Sequence, residues 1–257
     1  MVAAPPLGAG EIWPAEAPSI LARNAILIDA NTGRTLFQKF ADTRTQVAST
    51  QKLLTALLIA ERGDLDGRLV IAREECAVEP AKLGVRPGQS YSRRSLLTAM
   101  MVKSENDAAT ALGRDHSGST AAFALAMNRK AWELGARSSY FLNPSGLPAP
   151  QYSTARDMAR VAFRAYREPV LRRMMATQYY TFVFTTGRTK SLETTNKLLK
   201  RSPIYNGMKT GYTFKAGRCL ISSASLGGRE VILVQLGSKT SHIFDDAERL
   251  MRWGLGR

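Results

Sequence analysis

Histidine is nearly absent from the chain: only His116 and His242 occur, and neither sits in a metal-ligand spacing. Each reads as an ordinary core or surface residue, so a Ser-His-Asp relay and a histidine-held metal have little to be built from. Cysteine is equally scarce. Cys76 and Cys219 fit neither a disulfide framework nor a zinc cluster; one bridge between them is conceivable, but two ordinary thiols are the simpler reading. No apolar run approaches the length of a membrane span; the longest, around Leu53–Ala60, suits a core helix. The first eighteen residues have no basic residue and no apolar core, so no signal peptide is visible. Either the protein stays in the cytoplasm or an export signal has been removed.

Acidic residues are outnumbered, 21 Asp and Glu against 36 Lys and Arg, for a net charge of +15. Such a surface is drawn to polyanions: nucleic acid, anionic lipid or acidic wall polymers. The basic residues are dispersed, however, in short groups such as Arg172-Arg173 and Lys197–Arg201, with no zinc-finger or RNA-binding motif. Nucleic acid is therefore not the expected partner, and an anionic envelope surface is.

Residues 1–20, with Pro5, Pro6, Pro14 and Pro18, read as a loose leader, and 21–257 as one domain. Residues 25–30 and 35–39 flank Asn31-Thr32-Gly33-Arg34 and predict a β-hairpin. A helix is expected from Ser49 to Arg62, with Leu53, Leu54, Leu57 and Leu58 on one side and Gly63 as its stop. Helices follow over 95–103 and 107–112, and from a Ser119 cap to Leu134 before Gly135. Thr154-Ala155-Arg156-Asp157 predicts a capping box opening a helix to about Arg167. Beyond Gln178 the period becomes two, giving strands at 179–184, 207–213, 219–226 and 230–236, with Gly227-Gly228 as a tight turn. A last amphipathic helix spans about 244–253. Strands from both ends of the chain with helices between predict an α+β fold: one antiparallel sheet flanked by helices, with a mainly helical half, about 64–170, inserted.

Without histidine or metal, a hydrolase needs a lysine base. Ser49-Thr50-Gln51-Lys52 supplies one: Ser and Lys three apart at a helix start share a face, and helix N–H groups there favour a developing alkoxide. Lys52 must be substantially neutral, which burial against the neighbouring leucines would promote. By itself the spacing arises about once by chance in a basic chain of this length, and the plainer reading is an N-cap serine before a surface lysine. Ser104-Glu105-Asn106 then breaks an otherwise helical stretch, and Lys209-Thr210-Gly211 lies in a predicted strand, its glycine permitting close approach to a ligand. Each has its own plain reading, a polar helix break and a solvated strand end. Their joint occurrence, in this order, is not explained that way.

In these three motifs the chain resembles the low-molecular-mass penicillin-binding proteins, the serine D-Ala-D-Ala carboxypeptidase family. The resemblance extends over Gly84-Val85-Arg86-Pro87-Gly88, Asn143-Pro144-Ser145-Gly146-Leu147, residues 152–159, Thr195-Asn196-Lys197-Leu198-Leu199, Lys209–Thr213 and Ala216–Leu220, covering roughly 20–257. It implies a β-lactamase-like fold, no metal and no cofactor. It further implies cleavage of D-Ala peptide bonds in peptidoglycan stem peptides through an acyl-enzyme, with β-lactams as covalent inhibitors, in the periplasm or another extracytoplasmic part of the envelope. By that resemblance Ser49 is the nucleophile and Lys52 its base. Ser104, helped by Lys209, relays a proton to the leaving amine, and Asn106 binds substrate backbone and Lys52. Lys209 and Thr210 meet the terminal carboxylate, with Gly211, Tyr212 and Thr213 along the substrate; the N–H groups of Ser49 and Tyr212 form the oxyanion hole.

Two departures bear on specificity. Ser145 stands where many family carboxypeptidases have histidine, and Ile243, beside His242, stands where many have an arginine that helps bind the free carboxylate. The endopeptidase branch, which cuts D-Ala–diaminopimelate cross-links, also lacks that arginine, so endopeptidase action is the alternative. A β-lactamase-related hydrolase is a further one, but the loop after Asn143 offers no glutamate for a deacylating water before Glu168. A wall-binding module with a decayed site would not be expected to keep Ser49, Lys52, Ser104, Asn106 and Lys209. Many relatives continue beyond the final helix into a further domain and anchor; the expectation is a one-domain member or a trimmed form of a longer one.

Overall fold

A computed structural model of the chain describes residues 16–239 and 242–256; most of the proline-rich leader expected at 1–20 lies outside them. In the first half the elements are β1 (Asn24–Asp29), β2 (Thr35–Lys39), a 3₁₀ turn (Ala48–Gln51), α1 (Lys52–Arg62), β3 (Arg68–Val70), α2 (Arg73–Cys76), β4 (Ser90–Ser92), α3 (Arg93–Lys103), α4 (Asn106–Ser117) and α5 (Thr120–Glu133). In the second half they are α6 (Ala155–Tyr166), α7 (Pro169–Met175), β5 (Tyr179–Val183), β6 (Thr189–Glu193), β7 (Tyr205–Thr213), β8 (Gly217–Leu226), β9 (Arg229–Ser238) and α8 (Ile243–Gly254).

The main sheet is antiparallel with strand order β2-β1-β9-β8-β7, so strands from both ends of the chain pair as expected. It is buried on both faces, and the two-residue period of a strand divides its side chains between two cores. Ile26, Ile28, Ile232, Val234 and Leu236 join the core of the helical half, whereas Ala25, Leu27, Val231 and Leu233 join the core under α8. That is why residues 231–236 read as a nearly unbroken apolar run rather than an alternation. On the α8 side Ile243, Ala247, Leu250, Met251 and Gly254 are buried, recurring at helical spacing. On the other side α1 is buried along Lys52–Ile59 and is packed by α3, α4, α5, α6 and α7. It is the axis of the helical half, and its first turn abuts β7.

Several local expectations need correction. Ser49 lies in the 3₁₀ turn, one step before the α-helix, which starts at Lys52. The Thr154 cap forms only by halves: its hydroxyl accepts from the Asp157 N–H, but the Asp157 carboxylate turns to Ser138, Ser139 and Arg160. The strand at 179–184 is not in the main sheet. It pairs with β6, whose Thr189–Glu193 carries no simple apolar alternation, as a separate two-stranded ribbon beside α3. The short α2, α7, β3 and β4 were not legible either; each is too brief for periodicity to emerge. Both cysteines are free thiols, Cys76 half-buried and Cys219 buried.

Candidate active site

Several separate stretches of chain converge on one cleft of about 670 Å³, lined by Ser49, Ser104, Asn106, Gly146 and Thr210–Phe214 among others. Non-glycine residues with positive φ recur where these stretches meet. Ala48 (φ 48°) precedes Ser49, Met208 (φ 99°) precedes Lys209, and Ser104 itself (φ 72°) ends α3. Such conformations cost on the order of 1–3 kcal/mol each and persist where surrounding structure enforces them, as at functional sites.

At the centre is Lys52, fully buried, with its Nζ 2.8 Å from Ser49 Oγ, 2.6 Å from Asn106 Oδ1 and 2.6 Å from the Ser145 carbonyl. The orientation of the Asn106 amide follows from its Nδ2, which donates to the Pro80 carbonyl at 2.6 Å. Two of the three partners of Lys52 are therefore pure acceptors. A neutral lysine has two N–H bonds and one lone pair. Asn106 Oδ1 and the Ser145 carbonyl accept from the amine, and Ser49 Oγ lies 2.8 Å from Lys52 Nζ while donating to the same Ser145 carbonyl at 3.2 Å. In a neutral Lys52 the lone pair is available to the Ser49 hydroxyl. Burial holds the Lys52 pKa well below its usual value, and the nearby Lys209 charge pushes the same way; Glu105 and Asp107 oppose them. A buried lysine this close to a serine hydroxyl is chemically able to take its proton.

Lys209 is also fully buried, donates to the Thr210 carbonyl at 2.9 Å, and is drawn down by burial to a pKa of about 7. Thr210 Oγ1 donates to Thr195 Oγ1 at 2.6 Å. Ser104 stands on the cleft wall, its hydroxyl making no hydrogen bond among the described residues, and no bond joins it to Lys209 there. Thr213 lines the cleft but its Oγ1 accepts from the Ala216 N–H, fixing the β7–β8 turn. Tyr212 and Phe214 are exposed at the mouth, and the Arg218 guanidinium sits 5.4 Å from the Tyr212 ring centroid. The exposed cations Lys103, Lys197 and Arg218 line the cleft, and no acidic side chain does so among the described residues. The cleft is electrostatically suited to an anionic ligand.

Ile243 also lines the cleft, with Phe244 and Cys219, and gives an apolar wall where an arginine was the comparison; the exposed His242 instead bonds Asp245 at 3.2 Å. Glu168 is paired with Arg164 and is not among the lining residues. No group of His, Cys, Asp and Glu able to hold a metal occurs among the described residues.

Sequence reasoning missed the Ser145 carbonyl, a backbone group that carries no residue signature. The loop presenting it is shaped by Asn143, whose Oδ1 accepts from Ser145 N–H, Ser145 Oγ and Gly146 N–H, an Asx-type turn that Asn-Pro-Ser-Gly could have signalled. Gly146 is obligatory: a Cβ there would lie 2.1 Å from the Ala48 carbonyl oxygen. Gly211 closes the other side, where a Cβ would meet Ser49 N at 2.8 Å and Thr50 N at 3.0 Å.

Residues 13–240 match the sequence profile of the D-alanyl-D-alanine carboxypeptidase family. A D-alanyl-D-alanine endopeptidase of Pseudomonas aeruginosa is 34% identical over 90% of this chain and 76% of its own length. The carboxypeptidase DacF of Bacillus subtilis is 32% identical over 85% of this chain, which spans 58% of that protein. A D-alanyl-D-alanine carboxypeptidase structure from Mycobacterium tuberculosis superimposes with a TM-score of 0.90 at 30% identity, covering 96% of this chain and 97% of the other.

Because the Ser49 peptide is gripped between Gly146 and Gly211, Gly211→Ala is expected to displace it while leaving the fold intact. A loss of about a hundredfold in acylation rate at Ser49, the order expected of a displacement near 1 Å, in a protein that still folds with a melting temperature lowered by about 2–10 °C, is the expected result. Stopped-flow acylation beside thermal denaturation measures both.

Proposed function

The chain belongs to the D-alanyl-D-alanine carboxypeptidase family, and from that premise we propose that Ser49 is the nucleophile and Lys52 the base of a serine DD-peptidase acting on peptidoglycan stem peptides. The observation carrying this reading is the fully buried Lys52 Nζ 2.8 Å from Ser49 Oγ, its other two partners, Asn106 Oδ1 and the Ser145 carbonyl, being acceptors. The Ser49 proton passes to Lys52 as Oγ attacks the carbonyl carbon of a D-Ala peptide bond. The oxyanion is received by the N–H groups of Ser49 and Tyr212, each donor typically worth about 3 kcal/mol. The C–N bond then breaks, the amine takes a proton through Ser104 with help from Lys209, and an ester remains on Ser49. Water hydrolyses the ester, with the proton returned to Ser49.

Lys209 and Thr210 receive the substrate carboxylate, and Asn106 and the edge strand β7 hold its backbone. Gly211, Tyr212 and Thr213 form the strand segment beside the peptide. The cationic lining of the cleft supports an acidic peptide as ligand. β-Lactams, which present a strained amide to the same serine, are the expected covalent inhibitors. The proposal includes an extracytoplasmic place of action, where the wall polymer is, and the net charge of +15 suits an anionic envelope surface. No described helix is long and apolar enough to cross a membrane.

The preferred bond is read from Ile243. An apolar wall there removes one charge-assisted contact to a free terminal carboxylate, while a cross-linked substrate gains further contacts along the cleft. D-Ala-D-Ala carboxypeptidase action should therefore be modest and accompanied by endopeptidase action on cross-links.

Three outcomes test this reading. Ser49→Ala should carry no β-lactam adduct by intact-mass spectrometry while remaining folded, and an adduct on that variant would remove Ser49 from its role. Lys52→Arg should lose activity by about 10²–10⁴-fold, because arginine does not release its proton at usable pH. Near-parent acylation by this arginine variant would make Lys52 only an electrostatic partner. Finally, Ile243→Arg should raise kcat/KM for a pentapeptide roughly ten- to a hundredfold relative to a cross-linked dimer. A parent enzyme that strongly prefers the pentapeptide, with no gain on substitution, would leave Arg218 as the cation to test next.

A further inference from the structure

The loop Pro80–Leu83 contributes Pro80 and Ala81 to the cleft wall, and its four successive carbonyls all accept hydrogen bonds from the elements around the site. Pro80 O accepts from Asn106 Nδ2 at 2.6 Å and Ala81 O from the Asn106 N–H at 2.8 Å. Lys82 O and Leu83 O accept from Lys190 Nζ at 3.0 and 3.1 Å. The third donor of that ammonium reaches Glu105 Oε1 at 3.2 Å. Glu105 is buried, stands at the N-cap position of α4 without a side-chain cap bond, and is the middle residue of the Ser104-Glu105-Asn106 segment. Beyond it, the Asp107 carboxylate accepts from the N–H groups of Leu83, Gly84 and Ala108.

Lys190 belongs to β6, in the ribbon beside α3, and lies outside every motif that the sequence singled out. A solvated ribbon lysine would place its charge in water, whereas this one spends all three donors on this loop and the Asn106 segment. We propose that Lys190 is a positioning residue for the Ser49–Lys52 pair. It ties the Pro80–Leu83 loop to Glu105 so that Asn106 stays on Lys52, and its positive charge offsets the buried carboxylate beside the base. The idea rests on Lys52 being the base. It adds a second requirement: the charge balance at Lys52 is set partly from the ribbon.

The charged groups facing Lys52 are Lys209 from β7 and Glu105 and Asp107 from the start of α4; those facing Glu105 are Lys190, Asp107 and Lys103. The sign follows. Above the Glu105 pKa, which burial raises and Lys190 lowers, removing Lys190 leaves the Glu105 charge uncompensated, which favours protonated Lys52 and moves the rising limb of activity to higher pH. Removing the Glu105 charge moves that limb to lower pH. Removing both returns it toward the parent.

The experiment uses the full chain and measures the second-order rate of β-lactam acylation at Ser49 against pH. Its variants are Lys190→Met, Lys190→Arg, Glu105→Gln and the double Lys190→Met/Glu105→Gln. Lys190→Met should acylate about ten- to a hundredfold more slowly, with its limb at higher pH, and Lys190→Arg should recover most of the loss. The opposite limb shift of Glu105→Gln carries the test even if Lys190→Met does not fold. A parent-like rate and limb in Lys190→Met overturns the proposal. So does a slower rate with an unmoved limb, or a Glu105→Gln limb identical to the parent's; Lys190 would then be a structural tie alone. A parent protein with no adduct on Ser49 at any pH instead overturns the assignment of the nucleophile, a separate failure.

Discussion

The full burial of the Lys52 side chain is the constraint around which this molecule is arranged. Removing an ammonium from water costs several kcal/mol unless the group is paired or gives up its proton. Lys52 has no carboxylate in contact; its partners are a hydroxyl, an amide oxygen and a backbone carbonyl. Those suit a neutral amine better than a cation, and Lys209 in the same site adds further pressure towards neutrality. The leucines of α1 that make the fold's core thus also bury Lys52 and lower its pKa.

Each partner of Lys52 arrives from a different part of the chain, and each is held by devices that would be costly without it. Ser49 follows a residue in left-handed conformation, Asn106 is oriented by the Pro80 carbonyl, and Ser145 is turned inward by Asn143. Gly146 and Gly211 press on the backbone around Ser49 from opposite sides. The arrangement is that of a site whose atoms are fixed before substrate arrives, which is where preorganised electrostatic stabilisation comes from.

Charge is distributed to match. Carboxylates elsewhere are largely paired with arginine, as in Arg93 with Asp64 and Asp115, or Arg156 with Asp42. Inside the cleft the lining among the described residues is cationic or neutral, with Lys103, Lys197 and Arg218 favouring an anionic ligand. The one buried carboxylate near Lys52 that has a lysine of its own is Glu105, held by Lys190 from a ribbon distant in sequence.

The sequence by itself determined the hairpin at the start, the last three strands, the long helices and the three segments carrying Ser49, Ser104 and Lys209. These are long periodic elements or side-chain motifs, and local sequence encodes both. The strand β6 and its pairing with β5 outside the main sheet, the short α2, α7, β3 and β4, and the half-formed Thr154 cap were decided by packing, since β6 and these short elements are too brief or too polar for periodicity to outweigh tertiary contacts. The same division runs through the site. The Ser49–Lys52 contact was legible because the two side chains lie three residues apart. The Ser145 carbonyl, the Pro80–Leu83 loop and Lys190 were not, because a backbone oxygen has no residue signature. A lysine on a ribbon likewise acquires its role only when the fold brings it to Glu105.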